Sequence, residues 1–178
     1  KYDATGQLRW KRQLGSSDME QAYGVATDTA GNVYVAGYTY GALFAPKQGY
    51  GDAWLAKYDA DGNRKWQRQL GGSRTDYATG VATDMAGNVY LTGGTDGDLS
   101  GPNHGATDAW LATYDPDGHP IWTQQLGTAN DDFANRVATF THGDVTDVYI
   151  TGYTSGALCG AFLGGAGDAF VAKYASEP

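Results

Sequence analysis

Acidic side chains recur at two fixed places along this 178-residue chain. Glu20, Asp76 and Asp132 each stand six residues after a leucine: Leu14, Leu70 and Leu126. Asp52, Asp108 and Asp168 each open the run Asp-Ala-(Trp or Phe)-(Leu or Val)-Ala. Clustered carboxylates favour hard cations held through oxygen. The two series could therefore form a cation site, or a polyol-sugar site, once per recurrence. The same side chains can instead accept backbone N–H bonds and fix the loops that carry them. A second acidic pattern, Asp59-Ala-Asp61-Gly62-Asn63 and Asp115-Pro-Asp117-Gly118, resembles part of a calcium loop, which makes Ca²⁺ the ion to consider. Neither copy has the closing glutamate of an EF-hand loop. An earlier copy, Asp3 to Gly6, has Thr5 where the second aspartate would stand. A hairpin turn accounts for all three.

Aromatics supply a third kind of chemistry. Tyr38, Tyr40 and Tyr50 lie in or beside one Gly-rich stretch, together with Phe44. The matching stretches carry Asp96, Asp98, Asn103 and His104, and then Tyr153, Cys159 and Phe162. A sugar ring can stack on an exposed tyrosine, and variable loops are where specificity resides. Alternatively, Leu43, Leu99 and Leu158 anchor these loops and the aromatics pack on them. Signals for catalysis are thin. His104, His119 and His142 do not recur, and no two have metal-ligand spacing. No Gly-x-Ser-x-Gly elbow and no phosphate loop is present. Gly164 to Ala169 is Gly-rich but precedes a strand, so it does not match a dinucleotide fingerprint. No basic neighbour activates Cys159. A non-catalytic protein is expected, with a carboxylate-based hydrolase as a distant alternative.

The bulk properties narrow the partners. A net charge of −8 makes a phosphate backbone a poor ligand. A single cysteine excludes an intrachain disulfide. No apolar run approaches the roughly 18 residues of a spanning helix, so membrane insertion is not expected. With 27 glycines, 13 tyrosines and 5 prolines, the composition suits short strands and tight turns.

The elements that must position these residues follow from an internal repeat. Tyr2, Tyr58, Tyr114 and Tyr174 are 56, 56 and 60 residues apart, and Trp10, Trp66 and Trp122 keep the 56-residue step. Each unit reads as four strands. In the first complete unit these are a (Ala22 to Asp28), b (Asn32 to Thr39), c (Asp52 to Asp59) and d (Arg64 to Leu70). Ala-Gly-Asn and Asp-Gly-Asn between them supply the positive-φ positions of hairpins. Repeated four-stranded antiparallel units describe the blades of a β-propeller, with strand a at the axis and d at the rim. A β-solenoid would use a shorter repeat, and a sandwich has no reason to repeat its sequence. The expected fold is all-β: a closing outer strand in residues 1–14, blades at 21–70 and 77–126, and strands a to c of a third at 133–174. The last unit has three extra residues between Val137 and Tyr149 and one more before Asp168, both expected in loops.

The stretch from Asp52 to Thr95 resembles the bacterial beta-propeller repeat called SBBP. The likeness rests on Asp-Ala-Trp-Leu-Ala-Lys-Tyr-Asp, on Gly-Gly-x-x-x-Asp-Tyr-Ala, and on Asp-x-x-Gly-Asn-Val-Tyr. The last of these is also similar to the hairpin of NHL-type propellers. The resemblance implies a propeller module of bacterial extracytoplasmic proteins and assigns no activity. The family name refers to seven blades, whereas three units are present here.

Three blades are too few to close a ring of roughly 4 to 8. Bare blade faces and edges favour association. The leading expectation is a homodimer of six blades, in which Gln7 to Leu14 of each copy completes the last blade of the other. A head-to-tail filament and a segment of a longer propeller are the alternatives. The function expected is a scaffold for binding or assembly. A lectin-like propeller, with one Ca²⁺-assisted glycan site per blade, is the second reading, so the partner is a protein or a glycan.

Overall fold

The computed structural model describes residues 1–175, which contain eleven strands and no helix. Strands β1 (Glu20–Thr27), β2 (Val33–Thr39), β3 (Asp52–Tyr58) and β4 (Arg64–Leu70) form the first antiparallel sheet, in that order. Strands β5 (Asp76–Thr83), β6 (Val89–Thr95), β7 (Asp108–Tyr114) and β8 (Pro120–Leu126) repeat it. The third sheet has three strands: β9 (Asp132–His142), β10 (Val145–Thr154) and β11 (Asp168–Ala175). The expected strands a to d of the first unit coincide with β1 to β4 to within two residues at each end.

Local chemistry sets these limits. At the β3–β4 turn Gly62 has φ 81°, a conformation costly for any residue with a Cβ. Asp59 secures that turn by accepting from the amides of Asp61 (3.1 Å) and Asn63 (2.8 Å). A bulge between Ala22 and Gly24 shifts the β1–β2 register and drives the backbones together. A Cβ on Gly37 would lie 1.8 Å from the Gln21 carbonyl oxygen, and Gly93 and Gly152 face the same obstacle in the other sheets. Each second strand therefore carries a glycine at this point.

The sheets stack face to face. Tyr34 and Leu55 of the first pack with Val81, Leu91 and Trp110 of the second. Tyr90 and Leu111 of the second pack with Val148, Ile150 and Phe170 of the third. Leu55, Leu91 and Leu111 are fully buried, and each such side chain stabilises the stack by roughly 1.5–3 kcal/mol. The outer strand also grips the next sheet. Trp66 Nε1 donates to the Pro116 carbonyl at 3.0 Å and Arg68 Nε to that of Gly118. Trp10 and Arg12 hold Ala60 and Gly62 in the same way, at 3.0 and 2.7 Å. Residues 8–14 thus occupy the rim position ahead of the first sheet.

Two expectations need correction. Gln7 to Leu14 does not form a regular strand: its one bridge pairs Leu8 with Tyr2. The three extra residues of the last unit do not form a longer loop either. They lengthen β9 and β10, which meet at a tight turn with Gly143 at φ 59°. Thr141 and Thr146 bond across the extension at 3.0 Å.

Candidate functional site

All six recurrent acids stand where expected, at the first residue of β1, β5 and β9 and of β3, β7 and β11. Their pairing differs from expectation. Within one sheet Glu20 and Asp52 are separated by Thr39, which is the register partner of both. Acidic residues of neighbouring sheets stand side by side instead. The Asp76 amide donates to the Gly51 carbonyl at 2.8 Å, and that of Asp132 to Thr107 at 2.7 Å, placing each beside the aspartate that opens the preceding third strand. A Cβ on Gly71 would lie 2.6 Å from Asp52 Oδ1 and 3.0 Å from Asp76 Oδ2, so a glycine separates that pair. Asp52 and Asp76 lie 24 residues apart, a distance at which no local pattern shows a contact.

The hydrogen bonds of these acids fix loops. Glu20 Oε2 accepts from the Ser16 amide and Oε1 from Thr39 Oγ1, each at 2.9 Å. Against partial burial, the Ser16 and Thr39 bonds hold the Glu20 carboxyl below its ordinary range. Asp76 Oδ2 accepts from the Gly72 amide at 2.7 Å, and Asp132 Oδ2 from Thr128 Oγ1 at 2.8 Å. Asp52 accepts from the Gln48 amide (3.0 Å) and Gln69 Nε2 (2.8 Å), and Asp108 from the His104 amide and Gln125 Nε2, both 2.9 Å. Asp168 accepts from the Leu163 amide at 2.6 Å. Asp52, Asp76, Asp108 and Asp132 are completely buried. Oδ1 of Asp76, Asp108 and Asp132 has no hydrogen-bond partner. A buried acceptor without a donor is costly, so these atoms are where a proton, a water or a cation would be received. Burial, with Asp52 and Asp96 adding to it, pushes the Asp76 carboxyl up to about 6 against the Thr95 and Gly72 bonds.

The acidic turns are self-contained. Asp59 bonds the amides of Asp61 and Asn63 and the Asn63 side chain; Asp115 bonds the amides of Asp117 and His119 and the His119 ring. Asp61 and Asp117 are exposed at the turn tips. Among the described residues no group of three or more His, Cys, Asp or Glu is arranged to hold a metal.

The tyrosines divide. Tyr38 is buried against Tyr23, Tyr40 and Tyr77, with ring centroids 5.8, 5.2 and 5.0 Å away. Tyr77 continues to Phe133, and Phe133 to Tyr153, so an aromatic row runs across all three sheets. Tyr40 is half-buried and Tyr50 exposed.

Sequence reasoning gave no residues for the two ends of the stack. Val25 is 70% exposed, whereas its equivalent Val81 is 8% exposed under the first sheet. At the far end Val171 is 65% exposed, whereas its equivalents Leu55 and Leu111 are at 0%. A groove of about 220 Å³, lined by Trp10, Leu14, Gln21, Val35, Trp54 and Tyr58, runs between the N-terminal segment and the first sheet.

The chain is 32% identical over 77% of its length to the "Regulatory protein FlaEY" of Caulobacter vibrioides, of which the match covers 16%. It is 25% identical over 84% of its length to an uncharacterized WD repeat-containing protein of Acanthamoeba polyphaga mimivirus, covering 14% of that protein. The chain therefore spans less than one-fifth of either relative. The beta-propeller repeat SBBP matches residues 9–45, from the N-terminal rim segment through β1 and β2, and residues 65–100, from β4 through β5 and β6. With three stacked antiparallel sheets and this repeat matched twice, the chain carries two SBBP beta-propeller repeats.

Proposed function

We propose that the chain is a non-catalytic propeller scaffold for protein assembly, and that its two open ends associate with one another. The third sheet of one copy seats beside the N-terminal segment and first sheet of another. The observation that carries this reading is the exposure of Val25 and Val171, whose equivalents Val81, Leu55 and Leu111 are buried and Val137 partly buried at the internal junctions. Facing one another across a new junction, they would restore the contact that Leu55 makes with Val81. Two copies give six blades, within the roughly 4 to 8 of closed propellers, and reciprocal pairing closes the assembly. The relative described as regulatory is in keeping with a protein-binding role. Glycan binding has less support, because Tyr38 is enclosed and Tyr50 is the one exposed ring of the three expected.

The test is the native mass by light scattering at about 100 µM chain. The expected result is twice the 18.8 kDa chain mass, falling to the monomer in Val171→Asp with the circular dichroism of the wild type. A wild-type chain that remains monomeric refutes the reading.

A further inference from the structure

We propose that the junction between the first and second sheets carries a binding site for a free α-amino acid, held by its ammonium and its carboxylate at once. The site lies within one chain and is independent of how copies associate.

Its walls are two loops, 71–75 between β4 and β5 and 96–107 between β6 and β7. The Asp96 amide ties them together by donating to the Thr75 carbonyl at 2.9 Å. Between them lies a cavity of about 380 Å³, lined by Ser73, Arg74, Asp96, Asp98 and Asn103. No aromatic ring among the described residues lines it, so a sugar would have no face to stack on.

The repeat separates what the fold needs from what it does not. Residues that shape these loops recur: Thr39, Thr95 and Thr154 each accept through Oγ1 from the amide two residues on, at 2.9, 3.1 and 3.0 Å. The charged residues of the cavity do not recur. Arg74 corresponds to Asp18 and Asn130, Asp96 to Tyr40 and Ser155, and Asp98 to Ala42 and Ala157. The loops of the other units start alike without these charges, so the fold does not require them. The space itself is also particular to this unit. A Cβ on Gly41 would lie 2.1 Å from Ser16 Oγ, and one on Gly156 would lie 2.2 Å from Thr128 Oγ1. The second unit has Gly72 where Ser16 and Thr128 stand, with no hydroxyl to fill the place. The Arg74 stem lies over Gly97 instead, its Cβ 3.2 Å from where a Cβ on that glycine would stand.

The charges around the cavity are unpaired. Asp96 Oδ1 accepts from Thr107 Oγ1 at 3.0 Å, and Asp98 Oδ1 from the Asn103 amide at 2.8 Å. These bonds fix both carboxylates to their loop and leave Oδ2 of each without a hydrogen bond among the described residues. Arg74, on the other loop, forms no ion pair with either of them or with any other described residue. Asn103 Oδ1 accepts from the Gly105 amide at 3.0 Å, which sets the orientation of the carboxamide. Its Nδ2 is buried and has no partner, a cost that a bound acceptor would relieve. A guanidinium takes a carboxylate through two parallel bonds, and a pair of carboxylates takes an ammonium. An anion alone would be repelled by Asp96 and Asp98, and a cation alone by Arg74. A zwitterion meets all three with the opposite charge, and Asn103 Nδ2 is a further donor for its carboxylate.

The test is thermal melting of the full chain with each of the twenty standard amino acids at about 10 mM, then isothermal titration calorimetry with the best of them. At ten times its Kd an amino acid is expected to raise the melting temperature by about 3–6 °C. Its N-acetyl and carboxamide derivatives each lack one charge and are expected to bind about 10-fold or more weakly. Arg74→Ala and Asp98→Asn are each expected to weaken binding by about 10- to 100-fold, the worth of a charge-assisted bond. Both side chains are exposed, so the melting temperature without ligand stays near that of the wild type. Asn130→Ala, at the position of Arg74 in the third unit, leaves binding unchanged. No rise with any amino acid, equal binding of the amino acid and both derivatives, or wild-type affinity in Arg74→Ala would each overturn the proposal. A response confined to glucose, mannitol or Ca²⁺ would overturn it as well, by making the cavity a polyol or cation site.

Discussion

Asp76→Asn removes a carboxylate that the fold holds at a cost. Asp76 is completely buried, and its ordinary value of 3.8 is raised to about 6. Between those two values the folded chain keeps a proton that the unfolded chain has released. Stability therefore falls as pH rises through this window and levels off above it. At about 1.4 kcal/mol per tenfold, the displacement amounts to roughly 3 kcal/mol. Glu20 and Asp28, both held below their ordinary values, act in the opposite sense, but they are common to both proteins. The quantity to measure is thus the difference between wild type and Asp76→Asn. Urea unfolding followed by tryptophan fluorescence at pH 4, 5, 6 and 7 gives it. Asparagine keeps an acceptor for the Gly72 amide, so the local bonds survive at every pH. The stability of the wild type relative to the variant is expected to fall by about 2 kcal/mol from pH 4 to 7, or roughly 4–8 °C in melting temperature for a chain of this size. A difference constant to within about 0.5 kcal/mol would show that Asp76 is not a buried charge in the folded state.

Two further outcomes are expected from single substitutions. Gly93→Ala places a Cβ 1.7 Å from the Tyr77 carbonyl oxygen and should cost about 3 kcal/mol or more in urea unfolding. Gly101→Ala, which meets nothing within 4 Å, should stay within about 0.5 kcal/mol; equal losses would remove close backbone approach as the cause. Asp59→Ala frees three turn donors and should lower the melting temperature, whereas Asp61→Ala should leave it unchanged. Millimolar Ca²⁺ should shift neither, and a Ca²⁺-dependent rise in the wild type would restore the calcium-loop reading.

Much of the architecture is local and therefore legible in the sequence. The 56-residue recurrence, the glycine at positive φ in each turn, and the aspartate that bonds its own turn all act within a few residues. They set the strands nearly residue by residue. The candidate site was legible as a list of residues but not as a set of contacts. Asp52 and Asp108 stand beside acids of the following sheet, not of their own. Tyr38 looked available for a sugar, but Tyr77, one unit further on, packs against it. The extra residues before Tyr149 went into strands because β9 and β10 were free to extend as one hairpin.

The sequence by itself determined the repeat, the strands and the turns. Only the tertiary structure decided which faces are covered. Whether Val25 and Val171 are core or surface depends on a neighbouring sheet, and their equivalents Val81 and Leu55 are buried by one. Burial is a property of what stacks against a residue. A chain of near-identical units therefore writes the same apolar residue at an interior junction and at an open end, and stacking alone tells the two apart.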